Sequence, residues 1–185
     1  MSRKQGQTAE QTREDILRAA ARLLAGGAAK LTLEGTAKAA QVSKGGLIYH
    51  FPSKDSLLVA LAEQTVAAFR EDLEAAQDPL DGEARSFTRC FIRAALSPSV
   101  SGQKTRDSMF LMSFLLRHPE AAAVIRSGEA ELTEQLASDG VDPDTLALII
   151  AATDGVHIAP MWGGKEKTAA ELERITEQLL ALTRV

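Results

Sequence analysis

The 185-residue chain has one cysteine, one tryptophan, one tyrosine, six phenylalanines and three histidines, and each scarcity closes off a class of protein. A single thiol, Cys90, excludes a disulfide framework within the chain; set among the apolar neighbours of Phe-Thr-Arg-Cys-Phe-Ile, it is expected to be buried in a protein of the reducing cytoplasm. His50, His118 and His157 lie far apart without the paired spacing of metal ligands, and neither a glycine-rich phosphate loop nor a nucleophile elbow occurs. No enzyme, metal site or cofactor is therefore expected. β-Branched and aromatic runs are sparse while Ala, Leu, Glu, Arg and Gln recur, which disfavours a sheet and favours helices. The longest strongly apolar run, Leu146 to Ala152, is far too short to span a bilayer, and Met1 to Gln11 is polar with no apolar centre, so neither an anchor nor a signal peptide is expected.

What the chain does have is unevenly charged. The formal net charge is -4, yet residues 1–55 hold nine Lys/Arg against five Asp/Glu, a balance of +4 that leaves -8 for the remainder. Such asymmetry suggests a polyanion-binding head on a body with another task. With 45% hydrophobic residues the chain is long enough to bury a sizeable core as one domain or two small ones.

Apolar spacing and caps predict about nine helices. Thr8 and Gln11 form a capping box ahead of Ile16, Leu17, Ala20, Leu23 and Leu24, and Gly26-Gly27 ends that first helix. Thr32 caps a second, whose inward stripe of Leu33, Thr36, Ala37 and Ala40 is small enough for another helix to come close. After the break Gln41-Val42-Ser43, Ser43 caps a short third helix from Lys44 to about His50, and Pro52-Ser53 restarts the chain as a long fourth through about Ala76. A fifth is expected over about Glu83 to Leu96, followed by the loop Ser97 to Gly102, and a sixth over about Lys104 to Arg117. His118-Pro119 opens a seventh that Gly140 closes, Asp142-Pro143 starts an eighth to about Ile158, and Thr168 with Glu171 boxes the start of a last helix at Ala169.

Two helices joined by about three residues, the second opening at a serine cap, have the helix-turn-helix layout, in which the second helix enters the major groove of DNA. Val42, Leu47 and Phe51 are read as core. The run from Val42 through Ser43-Lys44-Gly45-Gly46-Leu47-Ile48-Tyr49-His50-Phe51-Pro52-Ser53-Lys54 to Leu58 resembles the recognition-helix signature of the tetracycline-repressor-like (TetR) regulators of bacteria. The resemblance is strongest over about residues 9–60; beyond that the body agrees in helix number, helix lengths and acidic character. It implies an all-α chain with a three-helix helix-turn-helix domain at 1–53 and a helical-bundle regulatory and dimerisation domain at 54–185. It further implies a repressor that binds a palindromic operator in double-stranded DNA as a homodimer and is released by a small-molecule effector.

Position by position, Lys44 at the start of the reading helix can reach a guanine edge or a phosphate, while Gly45 and Gly46 remove side chains so that the backbone can press into the groove. Tyr49 and His50 match family positions that hydrogen-bond phosphates. Lys54 opens the fourth helix, where its ammonium and free backbone N–H groups suit a phosphate; Thr32, as a cap, offers its hydroxyl or amide in the same way, and Ser43 is grouped with these contacts. Two positions depart from the family pattern. Gln41 stands where glycine is usual, costing about 1 kcal/mol if the turn needs a positive φ. Ile48 replaces a frequent aromatic and offers only apolar contact, for example with a thymine methyl. Both departures keep open a second reading, a helical interaction module that has lost DNA binding.

A reading helix of about seven residues touches only a few base pairs, so a second copy on an adjacent half-site is expected. Leu172, Ile175, Leu179 and Leu182 are spaced as a narrow seam, and Leu146, Ile149, Ile150 and Thr153 are separated by small alanines that allow close approach. Helices eight and nine are accordingly expected to build a four-helix dimer interface, as the resemblance also implies. Phe69, Phe87, Phe91, Met109, Phe110, Met112 and Phe114 concentrate bulk in helices four to seven, where the resemblance implies an effector cavity; the same residue types also suit an ordinary core.

Overall fold

A computed structural model describes residues 8–26, 30–82, 84–97 and 103–184, with the backbone alone at 103–105 and 161. Its elements are α1 (Ala9–Ala25), α2 (Leu33–Ala39), α3 (Lys44–His50), α4 (Lys54–Ala75), α5 (Ser86–Ala95), α6 (Gln103–Leu115), α7 (Pro119–Ser138), α8 (Pro143–Ile158) and α9 (Ala169–Leu182), with 3-10 turns at Pro79–Asp81 and Ala159–Trp162. Among the described residues there is no strand, and no helix is long and apolar enough to cross a membrane. Gly27, Glu83 and Pro98 to Gly102, where a helix end, a helix start and a loop were expected, lie outside the described residues.

Local chemistry sets most helix starts, because the first turn of a helix leaves backbone donors without partners. At α1 the Gln11 N–H donates to Thr8 Oγ1 (3.1 Å) while the Thr8 N–H donates to Gln11 Oε1 (2.9 Å). Thr168 and Glu171 repeat this at α9, and the Asp142 carboxylate accepts from the Thr145 N–H (3.0 Å) ahead of Pro143. The start of α5 is different, falling at Ser86 and not near Glu83. Arg85 has left-handed backbone (φ 59), which interrupts a right-handed helix, and its side chain provides no cap. Asp139, after α7, does so instead: its carboxylate accepts the N–H groups of Phe87 (3.3 Å) and Thr88 (2.7 Å) and the Thr88 hydroxyl (2.7 Å).

Packing divides the chain into two units that are not continuous in sequence: Met1–Val66 with Arg106–Arg126, and Ala67–Thr105 with Ser127–Val185. The first closes over Ile16, Leu17, Leu24, Leu47, Phe51, Leu57, Leu58, Leu61, Phe114, Leu115 and Ile125. Its boundary therefore differs from a division at residue 53. One helix of 17 residues and two of 7 offer too little apolar surface to enclose a core, so the start of α4, most of α6 and the start of α7 complete it.

The second unit packs Leu73, Phe91, Ile92, Leu96, Leu136, Val141, Ile149, Leu172 and Leu179 together. Polar ties fix its edges. Both terminal nitrogens of Arg93 donate to the Asp81 carboxylate (2.6 and 2.8 Å), which also lies 3.1 Å from Nε of Arg89, and Arg89 donates to the Ala84 carbonyl (2.6 Å). The Arg93 hydrogen bonds hold the Asp81 carboxyl below its usual range. His157 Nε2 lies 2.8 Å from the Ala95 carbonyl, tying α8 to the end of α5. Cys90 is buried, and burial raises its thiol pKa, as befits an inert core thiol.

Candidate nucleic-acid interface

The geometry begins with two hydroxyl caps. Thr32 Oγ1 accepts the Gly35 N–H and Ser43 Oγ the Gly46 N–H, each at 3.0 Å. Both caps are exposed, and a hydroxyl that accepts one bond still has a proton to donate. Between α2 and α3 the turn is held by the Val42 N–H donating to the Ala37 carbonyl (3.0 Å), and Gln41 adopts φ 59 there. The glycine position of the family pattern does require left-handed backbone.

One face of α3 is anchored and the opposite face is open. Leu47 is fully buried, Phe51 is buried behind it, and Val42 packs half-buried on the same core, all as read from the sequence. Lys44 and Ile48, like Gly45 and Tyr49, are four residues apart and so neighbours on the outer side. Tyr49 is 81% exposed and Ile48 40%, so both present surface on the outer side. His50 is half-buried, with its ring edge-on to Tyr49 at 5.1 Å between centroids. It lines a shallow cleft of about 460 Å³ together with Arg13, Glu63 and Glu120, whose carboxylates would repel a phosphate. Tyr49 is the more open of the two.

The paired glycines do different work. A Cβ on Gly45 would meet nothing within 4 Å, so its bareness leaves the outer face free for close approach. A Cβ on Gly46 would lie 3.1 Å from Ser43 Oγ, so its bareness serves the cap, not the groove. Lys54 is half-buried at the first turn of α4, where Ser53 and Ser56 exchange bonds (3.1 and 3.0 Å), and its Nζ lies 5.6 Å from the centroid of the buried Phe114 ring. The sequence reading missed this partner, which comes from α6 and leaves no local signal.

The bulky residues do not form one cluster. Phe91 is buried in the second unit with Phe69 and Phe87 packed against that core, whereas Phe114 and Met112 belong to the first core. Met109 is half-buried, and Phe110 is 48% exposed.

The eight residues expected at the dimer seam are mostly turned into the second unit's core. Ile149, Thr153, Leu172 and Leu179 are buried within their own unit, Leu146, Ile150 and Ile175 pack half-buried on the same core, and only Leu182 of the eight is exposed. This stripe packs α8 and α9 into their own unit. A second stripe on α8 faces outward, with Leu148 56% and Ile158 41% exposed, small Ala147, Ala151 and Gly155 and the acidic Asp154 exposed along it, and Trp162 85% exposed just beyond. Its spacing was visible, but α8 carries branched apolar residues on more than one face and periodicity could not rank the two stripes.

Comparison with known proteins adds independent findings. Residues 16–61 match the family described as "Bacterial regulatory proteins, tetR family", and residues 85–184 match "Tetracyclin repressor-like, C-terminal domain". A TetR family member from Streptomyces coelicolor A3 is similar at 26% identity and a TM-score of 0.71, over 95% of this chain and 99% of that one. The multidrug binding protein EbrR complexed with malachite green is similar at 26% identity and a TM-score of 0.69, over 94% of this chain and 98% of that one. NalD, the secondary repressor of the MexAB-OprM multidrug efflux pump in Pseudomonas aeruginosa, is similar at 26% identity and a TM-score of 0.60, over 94% of each chain. No curated protein matches the chain.

Proposed function

The chain belongs to the tetR family of bacterial regulatory proteins, and from that premise we propose that it is a transcriptional repressor that binds a palindromic operator as a dimer and is released when a small molecule occupies its body. The observation that carries this reading is the outer face of α3: Tyr49 stands 81% exposed on a helix whose Leu47 is fully buried, with Lys44 and bare Gly45 beside it. An aromatic phenol, an ammonium and an unobstructed backbone on an anchored seven-residue helix suit a DNA groove and its phosphates. In this reading Lys44 reads a base edge or a phosphate. Tyr49, Lys54 and the hydroxyls of Thr32 and Ser43 hold the backbone, with His50 edge-on against Tyr49 as its support; Gly45 keeps the approach clear and Gly46 leaves room for the Ser43 cap. Residues 1–53 act as the reading head and 54–185 as the regulatory and dimerisation body, working on DNA in the cytoplasm.

Two copies join through α8 and α9, with Leu148, Ile158, Trp162 and Leu182 covered by the second subunit. An exposed tryptophan beside a stripe of small and branched apolar residues is the composition of an interface centre. The effector is an aromatic, largely apolar molecule: EbrR is a multidrug binding protein complexed with malachite green, and NalD represses a multidrug efflux pump. We assign its recognition to Phe69, Phe87 and Phe91, which share one unit. Selection of binding sites from random duplex DNA with the purified protein tests the first half of the proposal, and mobility shift with and without malachite green tests the second. An enriched palindrome released by the dye is expected. Failure to prefer any sequence over random duplex would favour the interaction-module reading.

A further inference from the structure

We propose that Phe114 is a positioning residue for DNA binding: its buried ring holds the Lys54 ammonium at the start of α4, so that α6 sets the grip of the reading head on the phosphate backbone. The inference rests on reading Lys54 as a backbone contact and adds to it a cause for its geometry.

The ring of Phe114 collects cationic neighbours. Lys54 Nζ lies 5.6 Å and the Arg117 guanidinium carbon 5.3 Å from its centroid, and the His118 ring lies 4.9 Å away. The negative face of an aromatic ring attracts cations at such distances, more strongly where water is partly excluded. Phe114 is buried in the core of the first unit beside Leu115, so the ring cannot follow the lysine; the lysine follows the ring. Burial, with the charges of Lys54 and Arg117, lowers the His118 pKa, while Asp55 acts in the opposite sense. The imidazole thus adds contact without readily adding another positive charge.

A lysine has a long flexible stem, and fixing it on a phosphate costs rotamer freedom. A side chain already restrained by the ring has less to lose, and its ammonium has three N–H donors, so resting against a π face leaves others for phosphate oxygens. A core position that needed only apolar volume would be served by leucine. The aromatic quadrupole is what the lysine requires.

The experiment is a fluorination series at position 114 combined with a double-mutant cycle, read by affinity for the selected operator. Replacing Phe114 by mono-, di- and pentafluorophenylalanine keeps the ring's shape and progressively weakens its negative face. Affinity should fall stepwise, reaching about two- to fivefold per half-site for the full loss, as for Phe114→Leu. In a Lys54→Gln background neither change should have further effect. A flat series, or an equal loss from Phe114→Leu with and without Lys54, would overturn the inference, since a packing role alone predicts both; tighter binding on fluorination would overturn it by showing that the ring holds Lys54 away from the phosphate. If Lys54→Gln itself binds as tightly as the unmodified protein, the reading of Lys54 fails first and the positioning role with it.

Discussion

Gln41 and Arg85 share the same unusual backbone, φ 59, and replacing each by glycine should move stability in opposite directions. A left-handed L-residue costs about 1–2 kcal/mol relative to glycine, while glycine's greater freedom in the unfolded chain returns about 0.4–1 kcal/mol of that. At Gln41 nothing else changes. The residue is exposed, and its bond to the Lys38 carbonyl (3.2 Å) comes from its backbone N–H, which glycine keeps. Gln41→Gly should therefore stabilise by ~0.5–1 kcal/mol, a rise of ~1–4 °C in Tm for a chain of this size. At Arg85 the side chain decides. Its guanidinium donates to the carbonyls of Gly140 (3.2 Å) and Thr183 (3.1 Å), joining the start of α5 to the turn after α7 and the end of α9. Hydrogen bonds from a charged donor are worth ~1.5–3 kcal/mol each, and even halved for partial exposure their loss exceeds the strain relieved. Arg85→Gly should destabilise by ~1–2 kcal/mol. Thermal and denaturant unfolding at one fixed protein concentration measure both, since association would otherwise shift the midpoints. A lower Tm for Gln41→Gly, or a higher one for Arg85→Gly, would refute the reasoning.

Other perturbations test the cores and the edges. Leu47→Ala should cost ~2–5 kcal/mol by opening a cavity beneath α3, visible in the denaturant midpoint. Because hydrogen bonds from Arg93 depress the Asp81 carboxyl below its ordinary 3.8, its contribution to stability is full above that pH and is lost as pH falls through the lower folded value. Asp81→Asn should flatten that part of the acid limb, and an unchanged limb would mean the pair contributes nothing there. Leu148→Asp should yield a folded monomer by light scattering, whereas Leu172→Asp, which puts a charge in the core, should unfold the chain. A dimer surviving the first change would move the interface off the outer stripe of α8.

What the sequence disclosed followed the range of the forces involved. The caps at Thr8, Ser43, Asp142 and Thr168 act within three residues, and each was readable in place. The buried Leu47 was equally plain, whereas the left-handed turn at Gln41 was legible only as a condition set by the glycine usual at that position. The start of α5 was not, because the carboxylate that caps it, Asp139, arrives from 51 residues away. Nor was the ring beneath Lys54, supplied by α6. On α8 the difficulty was degeneracy: with branched apolar residues on more than one face, only the fold could decide that Ile149 and Thr153 turn inward and Leu148 outward.

Whether α3 grips DNA through its outward residues is tested most directly by the salt dependence of operator binding for the unmodified protein, Lys44→Ala and Lys54→Ala, repeated on operators changed one base pair at a time. Lys54→Ala should weaken binding about equally on every sequence and reduce the slope of log K against log salt by ~1 per subunit engaged, while Lys44→Ala should relax preference at one position in each half-site. Unchanged affinity and slope in both variants at moderate salt would contradict that placement of the DNA.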